Sequence, residues 1–451
     1  MSENEKQTVA KKFYSLLKNA NHKKVLTLLL PFQIGASLSE FLFGNELQEF
    51  ISRLNNESEE RQFQIIKMLE MLMDIKTDQL YPVLTIGSAN AETIFKCGED
   101  IILGNKHNSE MVNLYGGSGV NFAMRLLAGG DLAIPVLPVG DDDVGRKIIE
   151  AIRNTAEDTK TPKPIINFLG TDKYLHKGIK TPTSGILISG AKRTIFKQNL
   201  EGQEYFHEHL LAQLKDIEDI FSNNFGTVMI GHIQSDKKSG TSTKEILNRY
   251  QNRALIYTVL GNSQIGHGLD FWEKEEENIF NYIDVFQLNM EEAKRLFRNG
   301  QCSMTSEQIL EWFRKKKLSA VLTLDKFGAI GTYRDSEYVY VAYPLLSERE
   351  VIDSTGAGDA FAAGMVSYLG NNRDFDDVGF SKAMQKGRLW ASCACKHVGG
   401  TGKQPSSHLK EFIRKNPGYD KKNIEVREVN HTQELLKFID LIGKWSMLDV
   451  F

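Results

Sequence analysis

The stretch that decides the fold is DSTGAGDAFAAGMVSYL at residues 353–369, in which small residues precede a predicted helix. Ala, Met and Leu favour helix, and apolar residues recur at helical spacing. Gly356, Ala357 and Gly358 leave the backbone bare where this helix begins, and N–H groups at a helix N-terminus bind anions. Asp359 follows in the first turn, where the helix dipole favours its ionised form. The stretch therefore predicts an anion site beside a carboxylate suited to removing a proton from a hydroxyl that attacks phosphorus.

The composition places the chain among ordinary globular proteins. It has 451 residues, 41% hydrophobic and 25% charged, with a net charge of −3, which suits one large α/β domain with additions. Lys and Arg are spread along the chain, so we expect neither nucleic acid nor a membrane as partner. The four cysteines show no zinc-site or disulfide spacing, so we expect a reduced, cytoplasmic protein.

From residue 83 onward, short apolar runs alternate with helical patterns. The runs VLTIG (83–87), TVMIG (227–231) and AVLTL (320–324) are typical of buried parallel strands. Strands that alternate with helices predict a layered α/β fold with a mainly parallel sheet. Residues 165–197 instead show the alternating pattern of strands and no long helical pattern. This segment therefore predicts an antiparallel ribbon attached to that sheet.

The patterns of apolar and polar residues divide the chain into three segments. Residues 1–80 carry apolar residues at helical spacing, as in FQIIKMLEMLMDI, and few strand-like runs, so they predict a helical N-terminal extension. Residues 81–415 form the α/β domain. Residues 416–451 include the run QELLKFIDLIGKW and predict a C-terminal helical extension.

A second glycine-rich motif, YGGSGVNFAMRLLAGG at 115–130, precedes another predicted helix. A dinucleotide site of the Rossmann type would need a third glycine where Phe122 stands, so that interpretation is weak. The glycine pair at 116–117 lets a ligand approach the backbone closely. Asn121 can offer both a donor and an acceptor to hydroxyl groups.

These two motifs, GGSGVNFA and DSTGAGDAFAAGMV in that order, resemble the two signatures of the ribokinase-like (PfkB) carbohydrate kinases. That family transfers phosphate from ATP to hydroxyls of sugars, nucleosides and related small molecules. The resemblance covers roughly residues 82–415 and implies a three-layer fold with a mainly parallel central sheet. It also implies a small β lid over the substrate, formed by about residues 98–115 and 165–197, that excludes water.

The resemblance assigns catalytic and substrate roles residue by residue. Asp359 would be the base, and Gly356, Ala357 and Gly358 would form the anion hole for the γ-phosphate. The residues implied on the substrate side, matched through GSANAE (87–92), GGSGVN (116–121) and HIQSD (232–236), are Asn90, Glu92, Gly117, Ser118, Asn121 and Gln234.

Nucleotide and metal roles follow from further matches. The motifs LNMEEA (288–293) and TLDKFG (323–328), with the glycine turn, imply nucleotide contacts at Asn289, Thr323, Asp325, Gly328, Gly356 and Gly358. Asn289 and Glu292 would organise Mg²⁺ largely through water, which suits an ion that keeps much of its hydration shell. The backbone around Asp353 and Thr355 resembles the loop that binds a monovalent cation in some members, which is consistent with K⁺.

Four departures from the family pattern bear on substrate and nucleotide preference. Gln234 stands where some members have a glutamate that contacts the substrate. Glu92 stands where aspartate is usual and is one methylene longer. Ser118 stands where ribokinases often have lysine. Asp325 replaces the middle glycine of the nucleotide motif and brings a carboxylate near the nucleotide.

The leading hypothesis is an ATP-dependent kinase that phosphorylates a hydroxyl of a sugar or related polyol. The alternative is a nucleoside kinase of adenosine type, because both share every motif above. A third hypothesis is a catalytically weak sensor or scaffold that acts through its helical extension; the intact catalytic motifs argue against it. A homodimer is compatible with the resemblance.

Overall fold

The computed structural model describes residues 82–428 apart from short gaps, together with a few residues near the N-terminus. The gaps are 99–100, 103, 160, 162, 190–191, 199–205, 222–224, 234–238, 275–277, 300–301, 335, 371–374, 400, 402–404 and 416–423, and the N-terminal residues are 8–12, 15, 52, 54–59 and 62.

The largest element is a nine-stranded sheet with the order β17-β16-β15-β14-β11-β10-β9-β1-β4. Its strands are β1 Val83–Ile86, β4 Ala133–Val136, β9 Thr227–Ile230, β10 Leu255–Val259, β11 Val285–Asn289, β14 Ser319–Thr323, β15 Ala329–Thr332, β16 Tyr338–Ala342 and β17 Glu425–Glu428.

Six strands of this sheet run parallel to one another, namely β1, β4, β9, β10, β11 and β14. The sheet continues with β15, β16 and β17, each antiparallel to its neighbour. Strands β1, β4 and β9 are buried along their whole length. Because successive side chains point to opposite faces, such strands need cover on both faces. The predicted parallel sheet is confirmed.

Helices supply that cover. The helices between residues 118 and 415 are α1 Ser118–Gly129, α2 Asp143–Asp158, α3 Lys163–Leu169, α4 Phe206–Phe221, α5 Ser239–Tyr250, α6 Asn262–Ile265, α7 Leu269–Trp272, α8 Met290–Leu296, α9 Ser306–Lys315, α10 Ala357–Leu369, α11 Asp377–Ala394 and α12 Pro405–Lys415. Helix α10 packs against α1 and α11. The two helices α10 and α11 approach closely where Gly364 meets Gly387, since a Cβ on Gly364 would lie 2.8 Å from the Gly387 Cα.

A separate four-stranded sheet has the order β3-β2-β7-β8; we call it the lid sheet, after the lid that the family resemblance predicts. Its strands are β2 Asn90–Cys97, β3 Ser109–Gly116, β7 Thr183–Ser189 and β8 Lys192–Lys197. Ile94, Leu114 and Ile186 form a buried apolar cluster on its inner face, with Val398 packed against them. Glu92 pairs with Leu114 across β2 and β3, so it lies on the same inner face.

The remaining strands are two-residue pairs, β5 Val139–Gly140 with β6 Leu175–His176 and β12 Arg298–Asn299 with β13 Cys302–Ser303. Within the range predicted as antiparallel ribbon, 165–197, the strands β7 and β8 are antiparallel as expected. The range begins differently, because residues up to Leu169 continue helix α3.

The two predicted extensions lie mostly outside the described residues. Of the first 80 residues, the described Ala10 and Leu54 are buried and belong to the main apolar core. In the segment 416–451, residues 425–428 form strand β17 at the sheet edge, and the run QELLKFIDLIGKW lies outside the described residues. Within the described part of the chain, we find no helix long and apolar enough to cross a bilayer.

Candidate active site

Several of the predicted site residues lie at the carboxyl edge of the parallel strands. Asn289 ends β11 and Thr323 ends β14, while α1 and α10 begin near the same edge. In open α/β sheets this edge is where ligands bind, because loops and helix N-termini converge there. The two glycine motifs of the sequence meet at this place.

Asp359 lies in the first turn of α10 and is held by Asn121. The Asn121 amide Nδ2 donates to the Asp359 carboxylate Oδ2 at 2.7 Å, across 238 residues of sequence. Burial raises the pKa of Asp359 to about 6, against the lowering effects of the Asn121 hydrogen bond and the nearby Arg125 charge. A carboxyl group with this pKa is ionised near neutral pH and can still accept a proton readily, as a general base must.

Arg125 was not identified from the sequence as a site residue. It lies one helical turn after Asn121 on α1, with only 2% of its surface exposed. Burial lowers its pKa from the ordinary value, and the neighbouring Cys393, Cys395 and Asp359 counter that effect. A charged residue inside the apolar run FAMRLLA is the signal that could have pointed to it, since buried arginines need a partner.

The glycine turn has the conformation that the sequence motif suggests. Gly356 is the N-cap of α10 and has φ 70°, in the left-handed region that favours glycine. A Cβ on Gly358 would meet only the Gln287 side chain, at 3.8 Å. The protein itself therefore leaves room for a methyl group at Gly358, so packing does not explain the glycine there.

The residues predicted on the acceptor side lie on the lid sheet and at the start of α1. The Asn90 amide Nδ2 donates to Ser184 Oγ at 3.2 Å and to Glu92 Oε1 at 3.4 Å. Gly117 has φ 95°, and a Cβ there would lie 2.4 Å from the carbonyl oxygen of Ser88, so this glycine is required by backbone packing. Ser184 was missed because nothing near it in sequence marks its pairing with β2.

Ser118 connects α1 to the end of β9. Its backbone N–H donates to Ser88 Oγ at 3.2 Å, and its hydroxyl donates to the His232 carbonyl at 3.3 Å. The His232 ring Nε2 lies 2.9 Å from Ser263 Oγ. Gln234, predicted on the substrate side, lies outside the described residues, two positions beyond His232.

Asn289 and Glu292 form a capping box at the start of α8. The Asn289 side-chain oxygen accepts from the Glu292 N–H at 2.7 Å, and Glu292 Oε2 accepts from the Asn289 N–H at 2.9 Å. Burial raises the pKa of Glu292 to about 7; the Asn289 N–H lowers it, and the negative charge of Asp359 raises it further. The two carboxyl groups are therefore close enough for their charges to interact.

Asp353 ties the glycine turn to the segment that follows α11. Its Oδ1 accepts from the Thr355 N–H at 2.9 Å and from the Thr355 hydroxyl at 2.7 Å. Its Oδ2 accepts from the Gly399 N–H at 2.8 Å. The carboxylate thus joins two loops, and Gly399 is a partner that the sequence did not reveal.

The motif predicted to contact the nucleotide, residues 323–328, forms a tight turn after β14. Asp325 has φ 51°, a left-handed conformation that glycine adopts without strain and aspartate tolerates better than most residues. The backbone shape that a glycine would provide is therefore kept despite the substitution. Gly328 approaches the Ala342 carbonyl so closely that a Cβ would lie 2.0 Å from its oxygen.

Comparisons with known proteins agree with this architecture. Solved structures with a similar fold include the ribokinase of Giardia lamblia, with a TM-score of 0.54 and 16% identity, covering 74% of this chain and 99% of that one. The nucleoside kinase of Methanocaldococcus jannaschii has a TM-score of 0.52 and 15% identity, with 75% and 99% coverage. The ribokinase of Cryptococcus neoformans in complex with ADP has a TM-score of 0.51 and 15% identity, with 74% and 100% coverage. At these identities the structures show the fold alone, and they confirm the predicted ribokinase-like α/β fold.

Sequence comparison identifies the family. An ATP-dependent 6-phosphofructokinase of Thermoanaerobacterium thermosaccharolyticum is 24% identical over 302 residues, which cover 65% of this chain and 82% of that protein. The family model described as "pfkB family carbohydrate kinase" matches residues 171–407, more than half of the chain. The chain therefore belongs to the pfkB family of carbohydrate kinases and is a phosphotransferase with an alcohol group as acceptor.

Proposed function

We propose that this protein transfers the γ-phosphate of ATP to a hydroxyl of a sugar or related polyol, with Asp359 as the base. The observation that carries the proposal is the pairing of Asp359 with Asn121 at 2.7 Å beside the open glycine turn. The relative with the 6-phosphofructokinase activity and the ribokinase bound to ADP support ATP and a sugar as the two substrates.

In this mechanism Asp359 accepts the proton of the attacking hydroxyl. Asn121 donates to Oδ2, which leaves Oδ1 to face the acceptor. Arg125 places positive charge near the carboxylate and limits the rise in the pKa of Asp359 that burial causes. The proton moves to Asp359 as the hydroxyl oxygen attacks the γ-phosphorus, and the O–P bond to ADP breaks in line with that attack.

Gly356, Ala357 and Gly358 supply the anion hole. The first N–H groups of a helix have no partner inside the helix and point along its axis, and the dipole adds partial positive charge. The Ala357 N–H also donates to the Ser354 carbonyl before the helix, at 3.1 Å. Groups aimed in advance at the developing charge stabilise the transition state more than the ground state. The open space beside Gly358 suits close approach of a phosphoryl group.

We propose that the acceptor hydroxyls are bound by Asn90, Glu92, Ser118 and the backbone at Gly117. Gln234, which lies outside the described residues, stays a prediction. Glu92 is buried on the inner face of the lid sheet, where a carboxylate can accept from two hydroxyls. The lid sheet would exclude water from the reacting phosphate, so that ATP is not hydrolysed.

We propose that the nucleotide is bound by Thr323, Asp325 and Gly328, together with the backbone near Asn289. One carboxyl oxygen of Glu292 serves the capping box, and the described residues contain no cluster of three or more metal-binding side chains. This donor set fits Mg²⁺ held on the phosphates through water rather than a protein cage. When bound, Mg²⁺ would neutralise charge on the transferred phosphate.

A K⁺ site near Asp353 and Thr355 belongs to the same proposal. Both carboxylate oxygens of Asp353 already accept hydrogen bonds from protein groups. Asp353 would therefore act as the anchor of the two loops, and backbone carbonyls would provide the ligands.

The test is an ADP-release screen with MgATP over D-ribose, D-fructose 6-phosphate, myo-inositol and adenosine, with and without K⁺. We expect turnover with a sugar or polyol, and Asp359→Asn should lower kcat by roughly two to four orders of magnitude. Turnover with adenosine alone would show a nucleoside kinase instead. Near wild-type turnover in the Asp359→Asn variant would exclude Asp359 as the base, and ligand binding without any turnover would indicate a sensor.

A further inference from the structure

A buried hydrogen-bond relay lies directly beneath the glycine turn. The Tyr257 hydroxyl of β10 donates to Gln287 Oε1 of β11 at 2.6 Å, and Gln287 Nε2 donates to the Gly358 carbonyl of α10 at 2.9 Å. The two side chains are 0% and 1% exposed, so neither can touch a substrate. We call these three residues the relay.

The orientation of the Gln287 amide follows from its partners. The Gly358 carbonyl can only accept, so the amide nitrogen must face it. The amide oxygen then faces Tyr257, whose hydroxyl is the donor. Tyr257 Oη also lies 3.2 Å from Met365 Sδ, two turns further along α10. The relay therefore joins two central strands to α10 at two points along its length.

The position of Gln287 in the strand is unusual enough to require a reason. It lies between Phe286 and Leu288, both fully buried, in a strand with an otherwise apolar centre. Burying an amide is costly unless its groups are hydrogen-bonded, and a buried network gains strength when every bond is made. An apolar residue would fill the site without that cost, so the bond to Gly358 is the feature that distinguishes glutamine here.

The Gly358 carbonyl and the Asp359 N–H belong to one planar peptide unit. A donor that holds the carbonyl oxygen therefore also sets the direction of that N–H, which points out of the first turn of α10. The Asp359 side chain leaves the chain at the next atom. We propose that Gln287 and Tyr257 are positioning residues that hold the anion-binding turn and the base in their reactive geometry. The proposal rests on the role proposed above for Gly356–Asp359.

The first test replaces Gln287 by leucine, which keeps the size and removes both hydrogen bonds. The matched control is Gln213→Leu, because Gln213 is also 1% exposed and donates to the Lys173 carbonyl, away from the turn. We expect Gln287→Leu to lower kcat about 10- to 100-fold, less than the ~10²–10³-fold loss on removing a direct oxyanion donor. KM for ATP and acceptor should stay within about threefold. Gln213→Leu should leave kcat unchanged.

A second pair of variants is milder and guards against a folding failure. Tyr257→Phe removes only the hydroxyl that orients Gln287. Tyr250→Phe is its control, because Tyr250 is equally buried and its hydroxyl donates to Glu218 of α4 instead. We expect a roughly 3- to 10-fold loss of kcat in Tyr257→Phe alone.

Hydrogen–deuterium exchange of residues 353–361 gives a readout that needs no substrate. Exchange there should accelerate in Gln287→Leu and Tyr257→Phe and stay as in the wild type in both controls. Unchanged exchange in this segment, or a kcat loss no larger than that of the controls, would overturn the proposal. Asp359→Asn separates the two hypotheses. If this variant loses turnover while the relay variants turn over at the wild-type rate, only the relay proposal is wrong. If it keeps turnover, the proposed base is wrong.

Discussion

Asp359 illustrates how a single residue balances stability against chemistry. Burial raises the pKa of its carboxyl to about 6, whereas Asn121 and Arg125 favour the ionised form. A buried carboxylate costs free energy at neutral pH, but a base with a pKa near the working pH transfers protons efficiently. The two partners keep the carboxyl ionised without removing its basicity.

The first prediction concerns pH. Because the base must be ionised, kcat/KM should fall below about pH 6, the pKa of Asp359. Asn121→Ala removes a hydrogen bond that stabilises the ionised form, so the acid limb should move to higher pH. The control is Asn113→Ala, on the exposed outer face of the lid sheet, which should leave the limb unmoved. A profile with the same acid limb in all three proteins would contradict the assignment.

The second prediction concerns stability. An unfolded aspartate loses its proton near pH 4, whereas folded Asp359 keeps it to about pH 6. Between these values the folded state binds more protons, so this group lowers stability as pH rises from 4 to 6. Asp359→Asn should therefore melt at a higher temperature than wild type at pH 8, and the difference should shrink at pH 4.5. A difference that does not depend on pH would disprove the account.

At the scale of elements, helix α10 has two glycines with opposite surroundings. A Cβ on Gly358 would face open space, with only Gln287 Nε2 near it at 3.8 Å, whereas a Cβ on Gly364 would lie 2.8 Å from Gly387. One glycine is thus required by helix packing against α11. Gly358, by contrast, has open space beside it, where we propose that the phosphate binds.

The third prediction follows from this contrast. Gly358→Ala should stabilise the protein by about 0.5–1 kcal/mol, the usual gain of alanine over glycine in a helix. It should also lower kcat about tenfold or more, because a methyl group disturbs the anion turn. Gly364→Ala should destabilise by about 1–3 kcal/mol through overpacking. Thermal melts and ADP-release rates measure both effects, and a fully active Gly358→Ala variant would contradict the proposed anion hole.

At the scale of the whole molecule, Asp142 connects the main body to the lid sheet. It caps α2 by accepting from the Gly145 N–H at 2.8 Å. It also accepts from the Thr181 N–H at 2.9 Å and from the Thr181 hydroxyl at 2.8 Å, just before β7. Although burial acts to raise the pKa of Asp142, the bonds from Thr181 and Gly145 lower it.

The fourth prediction compares two helix caps. Asp376 caps α11 by accepting from Gly379 at 2.7 Å, so Asp376→Ala should cost roughly 1 kcal/mol. Asp142→Ala should cost roughly 2–3 kcal/mol, because the Thr181 bonds are lost as well. It should also raise KM for the acceptor, since Thr181 adjoins the lid. Equal costs and equal KM values for the two variants would show that Asp142 is only a cap.

The candidate site was partly predictable from sequence. Asp359 and the glycine turn were identified from DSTGAGDAF, and the structure places them beside Asn121 of the second motif. Gln287 was missed, although a polar residue inside the strand VFQLN was a visible signal. Ser184 and Gly399 left no signal, because their partners are set by how strands and loops pack.

By itself, the sequence determined the alternation of strands and helices, the two glycine motifs and the family, because these depend on local spacing and residue type. The tertiary structure decided which distant residues meet. Asn121 reaches Asp359, Gln287 supports Gly358, and Asp142 holds Thr181. The physical reason is that a parallel sheet brings strand ends together in an order different from that of the chain, and local pattern carries no record of that order.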